Sequence, residues 1–197
     1  MAISSLAFLP CCELSAQGDL RITEVNFDME RSNRGGEHWL ETTVEVQVRG
    51  NSDPAAVNRR YLDDVRVYIA LAFNLGSRSR TRLEYYWSEV EAATLDRGTH
   101  AFRFYLNPDL IKRNSLTDGE PYAFHIEVGA GSAAVANPVV AVSDNLRDPA
   151  RLERFNDLLE RVRDKQSGVL LPQAESPFRD MYLGETPATK GYRRSRE

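Results

Sequence analysis

Residues 65–73 read Val65-Arg66-Val67-Tyr68-Ile69-Ala70-Leu71-Ala72-Phe73, with a large apolar side chain at every second position. Successive side chains of a β-strand point to opposite faces of its sheet. A period of two therefore predicts a strand that buries one face in a core. Such alternation is typical of half-buried antiparallel sheets.

Six further segments have strand-like patterns. The second strand has the clearest alternation, because Val44, Val46 and Val48 alternate with polar residues. Its polar face, which begins with Glu41, is expected to be solvated. The predicted strands are 20–28, 38–49, 64–73, 82–95, a fifth after the turn Arg97-Gly98 with Phe102, Phe104 and Leu106, a sixth with Tyr122, Phe124, Ile126 and Val128, and 138–143.

These seven segments predict a mainly β fold, a seven-stranded antiparallel immunoglobulin-like sandwich over residues 18–145. A slip of phase in the first strand indicates a β-bulge. In the fourth strand, alternation assigns Tyr85 and Trp87 to the core and Tyr86 to solvent. Tyr122, near the start of the sixth strand, is expected to be either the corner tyrosine of such sandwiches or an ordinary core residue.

Size and charge exclude several classes of protein. A chain of 197 residues is expected to form one domain with extensions. Its net charge of −4 argues against nucleic acid or an anionic membrane as a partner of the whole chain. The apolar stretches fall well short of the roughly 20 residues that span a bilayer. We therefore expect no nucleic-acid partner and no direct membrane span.

Residues 1–16 have the pattern of a secretory signal peptide. A short apolar core at 3–9 precedes Ala16, after which a signal peptidase is expected to cut. The usual positive charge before the core is missing, so the N-terminus of a cytoplasmic protein is the alternative. Both cysteines, Cys11 and Cys12, lie in this segment, and Cys11 is an alternative site of lipid attachment. Cleavage after Ala16 would leave a mature chain without cysteine.

Between residues 146 and 168 the period becomes that of a C-terminal helix. Asp148 is a good N-cap and Pro149 a good first residue. The stripe is expected to dock on the chain's own sandwich, and a partner-binding helix is the alternative. The apolar stripe consists of Leu152, Phe155, Leu158, Leu159 and Val162.

Residues 169–197 are predicted to be an extended or disordered tail, because prolines and glycines interrupt them. Apolar islands in this tail allow it to dock along a neighbouring subunit. Deletion of the tail is expected to leave a folded monomer. The residues expected to bind a partner are Leu170, Phe178, Met181, Tyr182 and Leu183.

No residue pattern in the sequence indicates a catalytic, cofactor or metal site. The histidines, His38, His100 and His125, lack a second ligand at zinc spacing and are expected to be solvated strand residues. Carboxylate pairs such as Glu89 and Glu91 are expected to be surface charge, since nothing marks a cleft. Nucleophile elbows, phosphate loops and dinucleotide fingerprints are missing from the sequence. We expect a protein that is not an enzyme and uses no cofactor or metal.

Three segments carry a resemblance to a known family: Phe102–Pro108, Asp109–Arg113 and Gly119–Tyr122. The chain resembles the pilus-like secreted immunoglobulin-like proteins of Akkermansia-type Verrucomicrobia, which are associated with a type IV pilus-like gene cluster. The likeness extends over residues 18–165 in the order of elements. It implies an extracytoplasmic structural or assembly role, and it brings no catalytic residues.

The expected function is therefore that of a non-enzymatic extracytoplasmic protein, periplasmic, outer membrane-associated or secreted. Its expected partners are envelope or pilus-system proteins, or a second copy bound through the helix or the tail. Association through an edge strand or a helix in a groove fits the predicted elements. The alternative is a carbohydrate- or mucin-binding β-sandwich module, which needs exposed aromatic platforms.

Overall fold

A computed structural model describes residues 19–32, 36–54, 56–76, 81–116, 119–131, 138–182, 186–187 and 189–190. The proposed signal peptide, with both cysteines, lies outside these residues. The strands are β1 (Leu20–Arg31), β2 (His38–Val48), β3 (Tyr61–Asn74), β4 (Leu83–Asp96), β5 (Gly98–Leu106), β6 (Ala123–Ala130), β7 (Val139–Val142), β8 (Leu170–Pro172) and β9 (Thr189–Lys190). The helices are α1 (Pro108–Asn114) and α2 (Pro149–Val162), with short 3₁₀ turns at Asp144–Leu146 and Gln173–Glu175.

The described strands form two antiparallel sheets, which confirms the predicted mainly β sandwich. Sheet A has the order β1-β2-β5-β8 and sheet B the order β7-β6-β3-β4-β9. The seven predicted strands are β1 to β7, and the C-terminal tail adds the short strands β8 and β9. Strand β4 pairs with β3, whereas antibody constant domains place the fourth strand beside the fifth. The edge of β5 is thereby left for β8.

The main core lies between the two sheets, with β3 at the centre of sheet B between β6 and β4. The predicted bulge in β1 is present, because its pairing with β2 shifts between Ile22 and Glu24. The inward residues of β3 are at most 2% exposed: Val65, Val67, Ile69, Leu71 and Phe73.

Helix α1 closes one end of the sandwich. The Asn107 side chain caps it by accepting a hydrogen bond from the backbone N–H of Asp109 at 2.8 Å. At its other end, the Asn114 amide donates to Glu84 at 2.8 Å and to the Tyr86 hydroxyl at 3.1 Å. The helix is thus tied to the start of β4.

Helix α2 packs on the outer face of sheet B. The Asp148 carboxylate accepts a hydrogen bond from the backbone N–H of Arg151 at 3.1 Å, and Pro149 opens the helix, as predicted. The helix ends at Val162, and residues 163–169 form turns. Its apolar stripe docks on the chain's own sandwich. The buried residues of this second cluster are Ala70, Ala72, Tyr85, Ala123, Leu146, Phe155 and Leu159.

The predicted orientation of β4 is wrong, because α2 buries the face that alternation could not distinguish from the core. Tyr86, predicted to be exposed, is fully buried between the sheets. Tyr85 lies in the cluster under α2. Trp87 is half-buried on the same face, and its indole N–H donates to the backbone oxygen of Arg163 at 2.9 Å.

Two residues near β6 also differ from the prediction. His125 is only 4% exposed, because α2 covers it. Its Nδ1 lies 3.1 Å from Asn156 Oδ1, and its Nε2 lies 3.3 Å from Glu127 Oε1. Tyr122 is 44% exposed, so it is neither a corner tyrosine nor a core residue.

Candidate functional site

The described part of the C-terminal tail folds back on the sandwich. We call residues 170–182 and 186–187 the strap. Of the predicted partner-binding residues, Leu170 and Phe178 are each 1% exposed. Met181 and Tyr182 are half-buried, and Leu183 lies outside the described residues. All four described side chains therefore contact their own chain in this conformation.

Strand β8 starts the strap by extending sheet A. It pairs antiparallel with β5, with Leu171 opposite Tyr105 and Leu170 opposite Leu106. The Leu170 side chain joins the core between the sheets. Further along, β9 pairs with the edge of β4, where Thr189 stands opposite Ala92. The tail thus covers the outer edge of both sheets on one side of the sandwich.

Gln173 organises the strap internally. Its side-chain amide donates to the backbone oxygens of Phe178, at 3.2 Å, and Met181. Its side-chain oxygen accepts a hydrogen bond from the Thr186 hydroxyl at 2.7 Å. The Ser176 hydroxyl donates to the Gln173 backbone oxygen at 2.9 Å. These bonds lie within the strap, so its turns do not depend on the sandwich for their hydrogen bonds.

Beneath the strap, sheet A presents a receptor face made of Trp39, Glu41, Thr43, Arg103 and Tyr105. Glu41 is 7% exposed, which corrects the prediction that it is solvated. Its carboxylate accepts hydrogen bonds from Tyr105 at 2.8 Å and Thr43 at 2.9 Å, and lies 3.4 Å from Arg103 Nε. Burial, and then the Glu41 carboxylate, raise the pKa of Tyr105 far above its usual range. The phenol therefore stays a hydrogen-bond donor.

Aromatic contacts join the strap to the receptor face. The Phe178 ring stacks on Tyr105, with centroids 4.3 Å apart and planes 8° apart. It also lies T-shaped to the Trp39 ring, with centroids 6.0 Å apart. The Arg103 guanidinium lies 4.0 Å from the centroid of the Tyr182 ring, a cation–π contact. Two rings thus anchor the strap on the receptor face. Phe178 stacks on Tyr105, and Tyr182 lies on Arg103, which is paired with the buried Glu41.

Polar contacts extend this attachment at the C-terminal end of the strap. Arg103 donates to the Thr186 hydroxyl at 2.9 Å, and the Tyr182 hydroxyl donates to Glu30 at 3.3 Å.

The prediction missed the receptor face, although one signal was available. Trp39 and Tyr105 are large aromatic residues in the outward phase of their strands, where a solvated face would not need them.

A cavity of about 400 Å³ lies between the strap and the facing edges of β4 and β5. Val90, Phe102 and Met181 contribute apolar walls, and Arg103 and Arg179 also line it. The strap therefore spans part of this edge without filling it. Its attachment depends on β8 and on the contacts at the receptor face.

The opposite edge of sheet A has a different character. Strand β1, with 12 residues, is the outermost strand there and has no further strand beside it among the described residues. Glu24, Asn26 and Asp28 are exposed along it, while Val25 and Phe27 pack partly against the core. The two edges of sheet A thus differ, since the strap covers one, and the other carries the exposed acidic residues Glu24 and Asp28 between Arg21 and Arg31.

The described residues outside the receptor face form no metal-binding cluster, and two of the carboxylates considered are paired with arginine. In the described part of the chain, no group of three or more His, Cys, Asp or Glu residues could hold a metal ion. Of the carboxylate pairs considered, Glu89 forms an ion pair with Arg66 at 2.7 Å, and Asp144 forms one with Arg147 at 2.7 Å.

Comparison with known proteins supports the fold. No family model matches the chain, and no curated protein matches it. The chain is similar to a crystal structure of a protein from Akkermansia muciniphila, with a TM-score of 0.61 and 17% sequence identity. The match covers 87% of this chain and 92% of that one. At this identity the likeness concerns the fold alone.

No helix among the described residues is long and apolar enough to cross a bilayer.

Proposed function

We propose that the chain is a non-enzymatic structural or assembly protein of a bacterial envelope, part of a type IV pilus-like system, and that it acts by protein–protein contacts at β1. The observation that carries this proposal is the long outer edge of β1, opposite the edge covered by the strap. An edge strand presents unpaired backbone N–H and C=O groups that can bind an extended strand of a partner.

The charges along β1 favour a partner other than a second copy. Two β1 strands paired antiparallel about Asn26 would place Glu24 of one copy opposite Asp28 of the other, and Arg21 opposite Arg31, because the members of each pair stand equally far from the centre. Like charges directly opposite each other destabilise a strand pair. A strand with lysine or arginine at these positions would instead be attracted. The proposed partner is therefore a basic strand of another envelope protein.

The envelope location rests on three further observations. Residues 1–16 have the pattern of a signal peptide. Residues 102–122 resemble the pilus-like family, and a similar fold occurs in a protein from Akkermansia muciniphila. A carbohydrate- or mucin-binding module has less support, since the exposed Tyr61 and Tyr122 lie at the starts of antiparallel strands, at opposite ends of the sandwich.

The location is tested by cell fractionation and mass spectrometry of the native N-terminus. The expected result is a chain that starts at Gln17 in an envelope fraction. An intact Met1 in the cytoplasm would contradict the extracytoplasmic role.

The contact at β1 is tested by a photo-crosslinking residue at Asn26 in living cells. The expected adduct joins Asn26 to a basic extended segment of an envelope protein. The double variant Glu24→Lys, Asp28→Lys should lose the adduct. The matched control Glu153→Lys, Asp157→Lys changes the same charge on the exposed face of α2 and should keep it. An adduct that persists in the β1 variant would contradict a charge-guided strand contact.

A further inference from the structure

We propose that the strap can be exchanged between copies of this chain, so that the strap of one copy docks on β5 and the receptor face of another instead of its own. The partner is a second copy, and the contact lies at the edge opposite β1. The inference does not depend on the envelope role, because it concerns a different surface and a different partner.

The strap has the properties of a transferable unit. Gln173 satisfies the turns around Phe178 and Met181 from within the strap. Ser176 adds a second internal bond through its hydroxyl, which accepts from the backbone N–H of Phe178 at 3.1 Å. A segment that keeps its own hydrogen bonds loses its pairing with β5, its contacts to the receptor face and the burial of Leu170 between the sheets when it leaves. Those contacts re-form unchanged on an identical sandwich.

The receptor face is built by the sandwich itself. The bonds from Tyr105 and Thr43 to Glu41, and the ion pair of Glu41 with Arg103, all join residues of β2 and β5. They do not require the strap. Removal of the strap would, however, uncover the aromatic surface of Trp39 and Tyr105 and the edge of β5. Such an apolar patch and open edge favour an occupant, and the segment that fits them is the strap.

The connection to the sandwich allows the exchange. The seven residues 163–169 between α2 and β8 form turns, and Gly168 has φ +74°. Fully extended, seven residues span at most roughly 25 Å. The turns can therefore open into a linker between two sandwiches while α2 stays docked. Exchange of an identical element needs no interface beyond the one already present in a single copy.

The first experiment shortens the linker by deleting residues 164–167. The short linker hinders docking of the strap on its own β5 and favours docking on another copy. We expect the mass in solution to shift from that of one chain, 22.3 kDa for the full sequence, to twice that mass or more. The same deletion combined with Phe178→Ala should stay monomeric, because the stack on Tyr105 is lost. A folded monomer for the deletion alone would overturn the proposal.

The second experiment keeps the linker intact and uses two complementary variants. Phe178→Ala has a defective strap and an intact receptor face, and Tyr105→Ala has the reverse. The two are given different mass labels and refolded together at high concentration. We expect mixed dimers in native mass spectrometry, and a loss of dimers when either variant is refolded alone. Equal dimer levels in all three samples, or none in any, would overturn the exchange.

Discussion

The two outer faces of the sandwich are both covered by segments from the C-terminal part of the chain, but by different chemistry. Helix α2 covers sheet B with an apolar stripe that meets the small residues Ala70 and Ala72. The strap covers sheet A with one aromatic stack and a cation–π contact above the buried pair of Glu41 and Arg103. The helix is held by apolar burial, and the strap by polar and aromatic contacts in addition to the burial of Leu170 and Phe178.

This difference indicates that the two covers have different roles. Apolar burial stabilises a fold without demanding directional contacts. A buried ion pair contributes less net stability than its Coulomb energy, since both charges lose water, and its geometry instead favours one arrangement. We therefore expect α2 to be part of the stable fold, and the strap to be a specific contact that can open separately.

The largest expected effect is that of Phe155→Ala in α2. Phe155 is 4% exposed and its ring lies 5.4 Å from that of Tyr85. Its truncation should lower the free energy of unfolding by about 3–5 kcal/mol, measured by chemical denaturation. The exposed Glu153→Ala in the same helix is the control and should change it by less than about 0.5 kcal/mol. A loss no larger than the control would mean that α2 is a dispensable cover.

The next effect concerns the anchor of the strap. Glu41→Gln keeps the shape of the side chain but removes the charge that faces Arg103 and Tyr105. The expected loss is about 1.5–3 kcal/mol, and it should reach the strap through Arg103, which contacts Tyr182 and Thr186. Hydrogen exchange should therefore speed up at 170–182 and stay unchanged in α2. Glu45→Gln, on the same face of β2, is the control. Equal acceleration in both regions would mean that the two covers open together.

A smaller effect, of the opposite sign, is expected in the core that both covers enclose. The Thr42 hydroxyl is fully buried and makes no hydrogen bond within the described part of the chain. Thr42→Val should raise the free energy of unfolding by about 1 kcal/mol. The neighbouring Thr43→Val should lower it, because the Thr43 hydroxyl donates to Glu41. If both substitutions had the same sign, the assignment of these hydroxyls would be wrong.

The smallest effect is a pH dependence in the helix-covered face. The hydrogen bond from His125 holds the pKa of Glu127 below its ordinary value of 4.5, despite partial burial. A carboxyl whose pKa is lowered by folding stabilises the protein above its unfolded pKa. That stability is lost as the pH falls through the folded pKa. Wild type should thus lose more stability than Glu127→Gln upon acidification below about pH 4.5. Parallel denaturation curves at every pH would contradict this coupling.

The strands and the helix whose apolar residues recur at one regular spacing could be predicted from the sequence. The alternation of β3 and the helical spacing around Phe155 each depend on one buried face, and both are in place. The orientation of Tyr86 could not be predicted. Both faces of β4 are buried, and alternation then does not show which face lies between the sheets. Glu41 and His125 were placed in solvent because nothing in their own strands reveals a distant segment that covers them.

The candidate site shows the same limit more strongly. The apolar islands around Leu170 and Phe178 were recognised, but their surroundings are set by contacts with residues more than 60 positions away, such as Tyr105. Short proline-interrupted segments have no period that would reveal the surface they meet. The charges of Glu41 and Arg103 also hid the receptor face, since such residues are usually solvated.

The position of the strap after the sandwich also determines which of the two emerges first, from the ribosome or from a secretion channel. Strand β5 is synthesised well before β8, and at about 5–20 residues per second the interval lasts several seconds. During this time Trp39 and Tyr105 form an aromatic surface on a nascent chain whose cover has not yet been made. A translation product that stopped after α2 would keep that surface uncovered, and would be a substrate for chaperones and proteases that a chain with its strap escapes.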